Sequence, residues 1–487
     1  MGDDLKQKMI GALTWSTIDR FGQQFVQLVF GIILARLLSP KEFGLIGMLV
    51  IFSSISFVLV ESGFGLALIR KQDTSEKDYN SVFYFNIFVS IFLYLIFFFL
   101  TPAIADFFNQ PQLVLLGRVV FLSILFNALY LIPYNQLGKA MDFKTLAKVN
   151  LLSTLLSGSL GVTLAFLEFG VWSLVAQSVS YQFFRMLFFH SFVKWKPKLI
   201  FSFSVIRELW KFSLHILGTS VLNVIFNNLY VLMLSKFYPI QQVGYFTQAN
   251  KLSETFNFTF QSILVGSTYS LFSQIQNDLV RFRRIFREIV KKTSIVTFPV
   301  FLILIAIAKP FIYVLLSEQW MPAVSYFQLL CLSALFLPLY MLTINALNSR
   351  GESKITFRIE LIKKALILIS ILVSFRFGVL AMLWGYAVAS FIAFAVSSYY
   401  LKKNILHYYK HQFNDFSSAF LIGLSIAVIT YSLSFLIDNF YFLLAIQLFT
   451  ALLLYILSIK IFHKDLFTKA LSFAGSTFST LKNNFKK

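Results

Sequence analysis

The chain has 487 residues, 58% of them hydrophobic and only 13% charged, with a net charge of +21. A soluble protein carries about a quarter charged residues, so this composition excludes a water-soluble globular enzyme. The positive charge is no nucleic-acid footprint, because the basic residues gather at the ends of apolar segments, and no nucleic-acid partner is expected.

Fourteen mostly apolar stretches run along the sequence, each near the roughly 20 residues that match the hydrocarbon core of a bilayer. They fall at about 10–36, 44–68, 80–101, 113–136, 146–167, 171–193, 211–236, 243–273, 292–316, 322–348, 355–375, 378–401, 416–436 and 440–462. The first lacks the short apolar core and small-residue cleavage site of a signal peptide, so it is expected to remain as span 1. It carries Asp19, Arg20, Gln23, Gln24 and Gln27, and the last four follow helical spacings of three and four on one stripe. Span 2 carries Glu61, span 3 Asn86, span 4 Arg118 and Asn127, and span 6 Arg185. Span 7 repeats the polar stripe with His215, Asn223, Asn227 and Asn228; span 8 holds Lys251 and Glu254, and span 11 Lys363 and Lys364. Cys331, the single cysteine, lies inside span 10, so no intramolecular disulfide can form.

Lys and Arg crowd every second gap. Arg70, Lys71 and Lys77 mark the first such gap, and Lys139, Lys144 and Lys148 the second. The pattern continues through Lys194–Lys211, Arg281–Lys292, Arg350–Arg358, Lys402–Lys410 and the tail from Lys464. The opposite gaps hold only Lys41, Lys236 and Arg376. This alternation predicts an even number of spans with both termini in the cytoplasm. Residues 279–292 place Leu279, Phe282, Ile285, Phe286 and Ile289 opposite a basic face, which predicts a helix lying in the cytoplasmic interface; the tail after 464 reads the same way.

At an offset of 200, spans 1 and 2 meet spans 7 and 8. Gln23 pairs with Asn223, Gln27 with Asn227, Arg36 with Lys236, Gly44 with Gly244, Ser53 with Ser253, and Glu61-Ser62 with Gln261-Ser262. Phe169-Gly170-Val171 meets Phe377-Gly378-Val379 at an offset of 208. A unit of six helices gives both copies the same orientation, as in parallel-repeat transporters. The expected fold is therefore an all-α polytopic membrane protein of about 14 transmembrane helices. Its parts are an N-lobe at 1–193, a basic cytoplasmic linker at 194–210, a C-lobe at 211–401, and two further spans with a basic tail at 402–487.

Such lobes leave a cleft near the midplane, and ionisable groups inside a bilayer usually face a protein interior or a wet cavity. The candidate cavity set is Arg20, Gln23, Gln24, Gln27, Arg118, Arg185, Asn223, Asn227, Lys251, Lys363 and Lys364. Asp19, Glu61 and Glu254 are the candidates for ion coupling. Near span ends, Arg118, Arg185, Lys363 and Lys364 could instead snorkel to the headgroups, and Asp19 could serve only to neutralise a cation. A surplus of cations favours an anionic ligand, with a diphosphate the natural partner of Arg and Lys. Trp15, Tyr130, Tyr134, Tyr230 and Trp384 could stack on sugar rings or simply pack and form an interface belt. No phosphate-binding glycine loop, dinucleotide fingerprint or nucleophile elbow occurs. His407 and His411 are read as surface residues rather than metal ligands, and no cofactor, metal or catalytic residue is expected.

The opening GALTWSTIDRFGQQFVQLVFGIILARLLSPKEFGLIGMLVIF resembles the polysaccharide-exporter flippases of the multidrug/oligosaccharidyl-lipid/polysaccharide superfamily. The branch is that of O-antigen, colanic-acid and teichuronic-acid exporters. Its marks are Arg36-Leu37-Leu38-Ser39-Pro40 with Glu42-Phe43-Gly44, then Glu61-Ser62-Gly63-Phe64-Gly65 and Ala67-Leu68-Ile69-Arg70. Gly244-Tyr245-Phe246 with Ala249-Asn250-Lys251-Leu252 belongs with them, and the likeness covers most of residues 8–400.

The resemblance implies a V-shaped pair of six-helix lobes plus two C-terminal helices in the bacterial cytoplasmic (inner) membrane. It implies alternating-access transfer of undecaprenyl-diphosphate-linked oligosaccharide to the outer leaflet for O-antigen, capsule or exopolysaccharide synthesis. The partners it implies are that lipid-linked oligosaccharide and membrane lipids, with polysaccharide polymerase or ligase machinery as candidates. Two other readings compete. A cation-coupled multidrug antiporter of the same superfamily is favoured by Asp19 and opposed by the surplus of cations. A polymerase or ligase would need a large outer loop, whereas every outer gap here is short.

Overall fold

The structure, a computed structural model, describes residues 2–462; the side chains of residues 2–10, 13, 215 and 263–267 are outside that description. The expected interfacial tail after 464 and the side chain of His215 therefore lie outside the described residues. The described chain is helical, with no strand: α1 (Gly2–Leu37), α2 (Pro40–Glu61), α3 (Phe64–Arg70), α4 (Glu76–Phe108), α5 (Leu113–Val120), α6 (Leu122–Lys139), α7 (Phe143–Phe166), α8 (Val171–Phe192) and α9 (Phe203–Phe237). There follow α10 (Ile240–Gln274), α11 (Leu279–Leu316), α12 (Ala323–Ala334), α13 (Leu337–Ser349), α14 (Ser353–Ser374), α15 (Val379–Ile405), α16 (Tyr409–Ser432) and α17 (Phe440–Phe462). Ten helical runs among the described residues are long and apolar enough to cross a bilayer. The long helices that fall short are α1, α8, α10 and α14; α1 carries one of the two polar stripes read from the sequence, and the other lies on α9, which is among the ten.

Three expected spans are broken. Span 2 divides into α2 and α3 because Ser62 and Gly63 take left-handed backbone conformations, at φ 50° and 70°. Gly63 also lies against the Ser213 carbonyl of α9, where a Cβ would not fit. Span 4 divides at Phe121 into α5 and α6. Span 10 divides before Pro338, which cannot donate the backbone hydrogen bond a continuous helix needs there. Conversely, residues 279–292 and span 9 join as one 38-residue helix. The expected interfacial helix is thus the first part of α11. Its Phe282 and Phe286 are buried and pack on Phe272 rather than lying in lipid.

The chain divides into two compact units, residues 1–255 and 256–487. In the first, α1 lies along α7, and α7 along α8. Small residues permit this: Gly158 of α7 sits under the Phe30 ring, and Gly22 of α1 under Leu151. Residues 194–210 are built into the same unit. Trp195 packs on Phe83 with ring centroids 5.3 Å apart, the Lys198 amide donates to Asn80 Oδ1 at 2.6 Å, and Val205, Ile206 and Leu209 share a core with Phe64, Leu68 and Ile132. In the second unit, α11 lies along α16, where Gly423 rests on the backbone of Pro299, and α14 pairs with α15.

The start of α2 and the start of α10 cross at glycines, within the first unit. Gly44 faces the Ile240 carbonyl, and Gly244 faces the Pro40 carbonyl; neither leaves room for a Cβ. One turn further on, a Cβ at Gly47 would stand 2.9 Å from Thr247 Oγ1. The contact is reciprocal at an offset of 200 residues. The preceding helices, α1 and α9, end at Leu37 and Phe237 with the same offset.

A side chain at this crossing must push two backbones apart. Gly244→Val is therefore expected to destabilise the protein by about 3 kcal/mol and to lower its unfolding midpoint in detergent. Gly218→Val, at a helical glycine with open space around it, should leave the midpoint nearly unchanged. Equal midpoints for the two variants would contradict the crossing.

Candidate functional site

The polar residues of α1, α6, α7 and α8 converge in the first unit. Asp19 accepts from Gln23 Nε2 at 2.7 Å and from Asn150 Nδ2 of α7 at 3.2 and 3.1 Å. Tyr181 of α8 donates to Gln23 Oε1 at 3.2 Å. One turn along α8, Arg185 lies over the rings of Tyr130, Tyr181, Tyr134 and Phe189, 4.4–5.7 Å from their centroids. Its Nη1 donates to the Tyr130 hydroxyl at 2.7 Å. That hydroxyl also accepts from Asn127 Nδ2 at 2.7 Å and donates to Gln182 Oε1 at 2.9 Å. A cation enclosed by rings is held by their quadrupoles and needs no carboxylate.

Beside this network is a cavity of about 400 Å3, entirely within the first unit. Gln27 and Phe30 of α1 line it, with Thr154 and Ser157 of α7 and Gln177, Ser178, Tyr181 and Gln182 of α8. From α10 come Thr247, Gln248 and Lys251. Lys251 is the one charged side chain in this lining. Its ammonium lies against the α1 backbone, 3.1 Å from where a Cβ on Gly31 would be. It is solvent-accessible, through the cavity it lines. No carboxylate lies within ion-pair reach of it among the described residues. Phe43, Ile46, Val50, Phe57 and Leu174 complete the wall, and an amine among amides and hydroxyls on such a wall suits an anionic ligand that also carries hydroxyl groups.

Of the residues expected at a site, the cavity lining takes Gln27 and Lys251, and Asp19, Gln23 and Arg185 connect to it through Tyr181 and Gln182. Gln24 donates to Thr255 Oγ1 at 2.9 Å and ties α1 to α10 one turn from Lys251. Arg20, Asn223, Asn227 and Glu254 are exposed and outside the lining. Arg118 stacks over Phe98 at 4.3 Å. Glu61 is the last residue of α2, at the break in span 2. Lys363 and Lys364 belong to α14 of the second unit, where Lys363 lies over the Tyr340 ring at 4.5 Å. Of the aromatic candidates, Tyr130 is spent on holding Arg185, Trp15 faces Lys144 at 5.8 Å, and Trp384 is exposed.

Of α8, sequence reasoning named only Arg185; Gln177, Ser178, Tyr181 and Gln182 were missed, although with Arg185 they follow the same three-and-four spacing that marked span 1. His407 differs from expectation. It is 1% exposed rather than at the surface, and its Nε2 lies 3.3 Å from Asp415. Among the described residues no group of His, Cys, Asp and Glu could hold a metal.

Fold and cavity together define a multi-pass helical membrane protein with a polar pocket among its spans. Residues 33–325 match the profile of the family described as polysaccharide biosynthesis protein, and the chain belongs to that family. It is 27% identical over 351 residues to the succinoglycan biosynthesis transport protein ExoT of Rhizobium meliloti (strain 1021), covering 72% of this chain and 71% of that protein. It is 23% identical over 442 residues to the teichuronic acid biosynthesis protein TuaB of Bacillus subtilis (strain 168), covering 89% and 90%. Among solved structures, the lipid II flippase MurJ in an inward closed conformation superposes with a TM-score of 0.75 at 19% identity, covering 92% of this chain and 99% of that one. An inward-facing multidrug resistance MATE transporter of the MOP superfamily gives 0.62 at 15%, covering 79% and 94%. These two likenesses are of fold, and the resemblance read from the sequence motifs holds at the level of the family.

The Tyr130 hydroxyl has three polar partners. Tyr130→Phe leaves buried donors and an acceptor unsatisfied and is expected to cost about 1–3 kcal/mol. A lower unfolding midpoint, with membrane insertion preserved, checks this; an unchanged midpoint would show the network to be dispensable.

Proposed function

We propose that this protein is a flippase that exports undecaprenyl-diphosphate-linked oligosaccharide from the cytoplasmic to the outer leaflet for surface polysaccharide synthesis. The observation that carries the reading is the Lys251 ammonium, the one charged group in a cavity whose walls combine neutral hydrogen-bonding side chains with rings and the aliphatic Ile46, Val50 and Leu174. A lysine without a carboxylate attracts a diphosphate, and amides with hydroxyls match sugar hydroxyls. The names of the curated relatives, a succinoglycan transport protein and a teichuronic acid biosynthesis protein, support the same ligand class and a transporter rather than an enzyme.

In this reading the ten strongly apolar runs and the four other long helices, α1, α8, α10 and α14, make 14 spans in the inner membrane, with both termini cytoplasmic. Residues 1–193 and 211–401 are parallel six-helix repeats joined through 194–210, and the region from 402 adds two spans. The reciprocal glycine crossing of α2 and α10 supports that symmetry, because a pseudo-two-fold axis makes paired residues meet each other's counterparts. Transport then proceeds by alternating access, with Arg20 and Lys251 attracting the diphosphate, Gln23, Gln24 and Gln27 near the glycan path, and Asp19, Glu61 and Glu254 as candidates for ion coupling.

One observation favours a second reading. Asp19 is a carboxylate in the first helix of a fold shared with a multidrug transporter. Its oxygens are engaged by Gln23 and Asn150, and the charge of the neighbouring cavity is positive, which opposes an organic cation.

The test is the sidedness of lipid-linked oligosaccharide in cells lacking the gene, read with an impermeant glycan-modifying reagent on inverted and right-side-out vesicles. Accumulation on the cytoplasmic leaflet is expected. Normal sidedness with altered sensitivity to cationic drugs would establish the antiporter instead. Complementation with Lys251→Ala should cut export at least about ten-fold, the scale of one lost charged contact, with protein still in the membrane. Full export by an Arg20→Ala, Lys251→Ala double variant would remove those residues from the binding role.

A further inference from the structure

The first three turns of α11 carry a second, separate concentration of charge. Val280, Arg283, Arg284, Arg287, Glu288 and Lys291 follow helical spacings of three and four on one face and line a cavity of about 450 Å3. The opposite face is anchored, with Phe282 at 0% exposure, Phe286 at 1% and Val290 at 6%. The helix cannot roll, so the charged face has a fixed direction.

Two of its cations are held by protein partners. Arg287 grips both carboxylate oxygens of Asp415, with Nε to Oδ2 and Nη2 to Oδ1 each at 2.9 Å. The Asp415 side chain is fully shielded and also meets His407 at 3.3 Å. Arg283 Nε donates to the Ile405 carbonyl at 3.0 Å. The other two remain available. Arg284 is exposed and has no hydrogen bond or ion pair among the described residues, and Lys291, half exposed, reaches Asp415 only at 3.5 Å. Glu288 is partly offset by Lys292 at 2.6 Å. Four cations thus face one shielded carboxylate and one paired glutamate, leaving a net positive pocket.

We propose that this pocket binds the phosphate of an anionic membrane lipid. Arg284 and Lys291 contact the phosphate, and Asp415 is a positioning residue that holds Arg287 beside it. Phosphate is the shared chemistry of a lipid headgroup and the free ion. The lipid is favoured because a cluster of basic residues immediately before a membrane-spanning run attracts anionic headgroups, and Lys291 precedes the apolar run of α11 from Ile295 by one turn. The inference stands on the membrane-spanning character of α11 and is independent of the flippase reading.

The test uses the full chain purified in detergent and equilibrated with phosphatidylcholine vesicles with and without phosphatidylglycerol, retained lipid being counted by native mass spectrometry. Preferential retention of phosphatidylglycerol is expected, falling roughly ten-fold in an Arg284→Gln, Lys291→Gln double variant. Arg281→Gln, off the lining, should retain it, as should the charge-conserving Arg284→Lys, Lys291→Arg. No preference for phosphatidylglycerol, or equal retention by the double glutamine variant at an unchanged unfolding midpoint, would overturn the proposal. Displacement of the lipid by millimolar inorganic phosphate, with the same gain in unfolding midpoint, would make the ligand the free ion and overturn the lipid assignment.

Discussion

The approach of α2 to α10 is the constraint on which the first unit depends. Helices in a bilayer gain little from the hydrophobic effect on associating and are held by close backbone contact and by polar groups. At Gly44 and Gly244 the two chains come within a distance that admits no side chain. That proximity places Gln248 and Lys251, one and two turns further along α10, against α1 and α8. The glycines, rather than any polar bond, put the lysine where it can serve a cavity; the Gln24–Thr255 hydrogen bond then fixes the helix further along.

The same unit separates two kinds of polar chemistry. Around Asp19 and Arg185 nearly every group has a partner, from Asn150 and Gln23 through Tyr181 to Tyr130, Asn127 and Gln182. The network stiffens the interface of four helices, although Asn127 Oδ1, Asn150 Oδ1 and Arg185 Nε have no hydrogen-bond partner among the described residues. Around Lys251 the side chains border empty volume, although Thr154, Ser157 and Thr247 donate to backbone carbonyls of their own helices. Gln182 and Tyr181 belong to both, so their rotamers are set by the network while their surfaces face the cavity. Such supported side chains keep a binding surface in shape without a ligand in place.

Much of this was legible in the sequence. Apolar runs located the long helices; of the stripe Arg20, Gln23, Gln24 and Gln27, Gln23 and Gln24 bond to neighbouring helices and Gln27 lines the cavity, while Arg20 is exposed and outside it. Among the candidate cations, Arg20 and Lys251 alone were not set aside as near span ends, and of the two Lys251 lines the cavity. What the sequence did not show was pairing across spans. Arg185 could have snorkelled to a headgroup; four rings from α6 and α8 hold it instead, and no local pattern announces that α6 and α8 are neighbours. His407 appeared to be a loop residue because its partner Asp415 lies in the following helix and its buried environment is supplied by Phe286 of α11. The break in span 2 had a local sign in Ser62-Gly63, but hydropathy passes over it, since both halves are apolar. Residues 279–292 were amphipathic as read, yet an amphipathic face fits a lipid surface and a protein groove equally well.

The fates of three cations in the first unit explain why one of them suits a ligand. Arg118 and Arg185 both hold their guanidinium over aromatic rings, Phe98 for the first and the tyrosine cluster for the second. A planar guanidinium is made for that role, since it stacks and is weakly hydrated, and once stacked its charge is largely spent. Lys251 has no ring beneath its ammonium among the described residues. It ends in a compact charge with three rotatable donors, beside a glycine that leaves space for it. A lysine there can reorient towards a phosphate that arrives and release it again, which a caged arginine could do only by leaving its rings. A transporter needs a cation that binds and lets go, so the residue type at position 251 matters as much as its charge, and an arginine in its place would carry the same charge with less freedom to surrender the ligand.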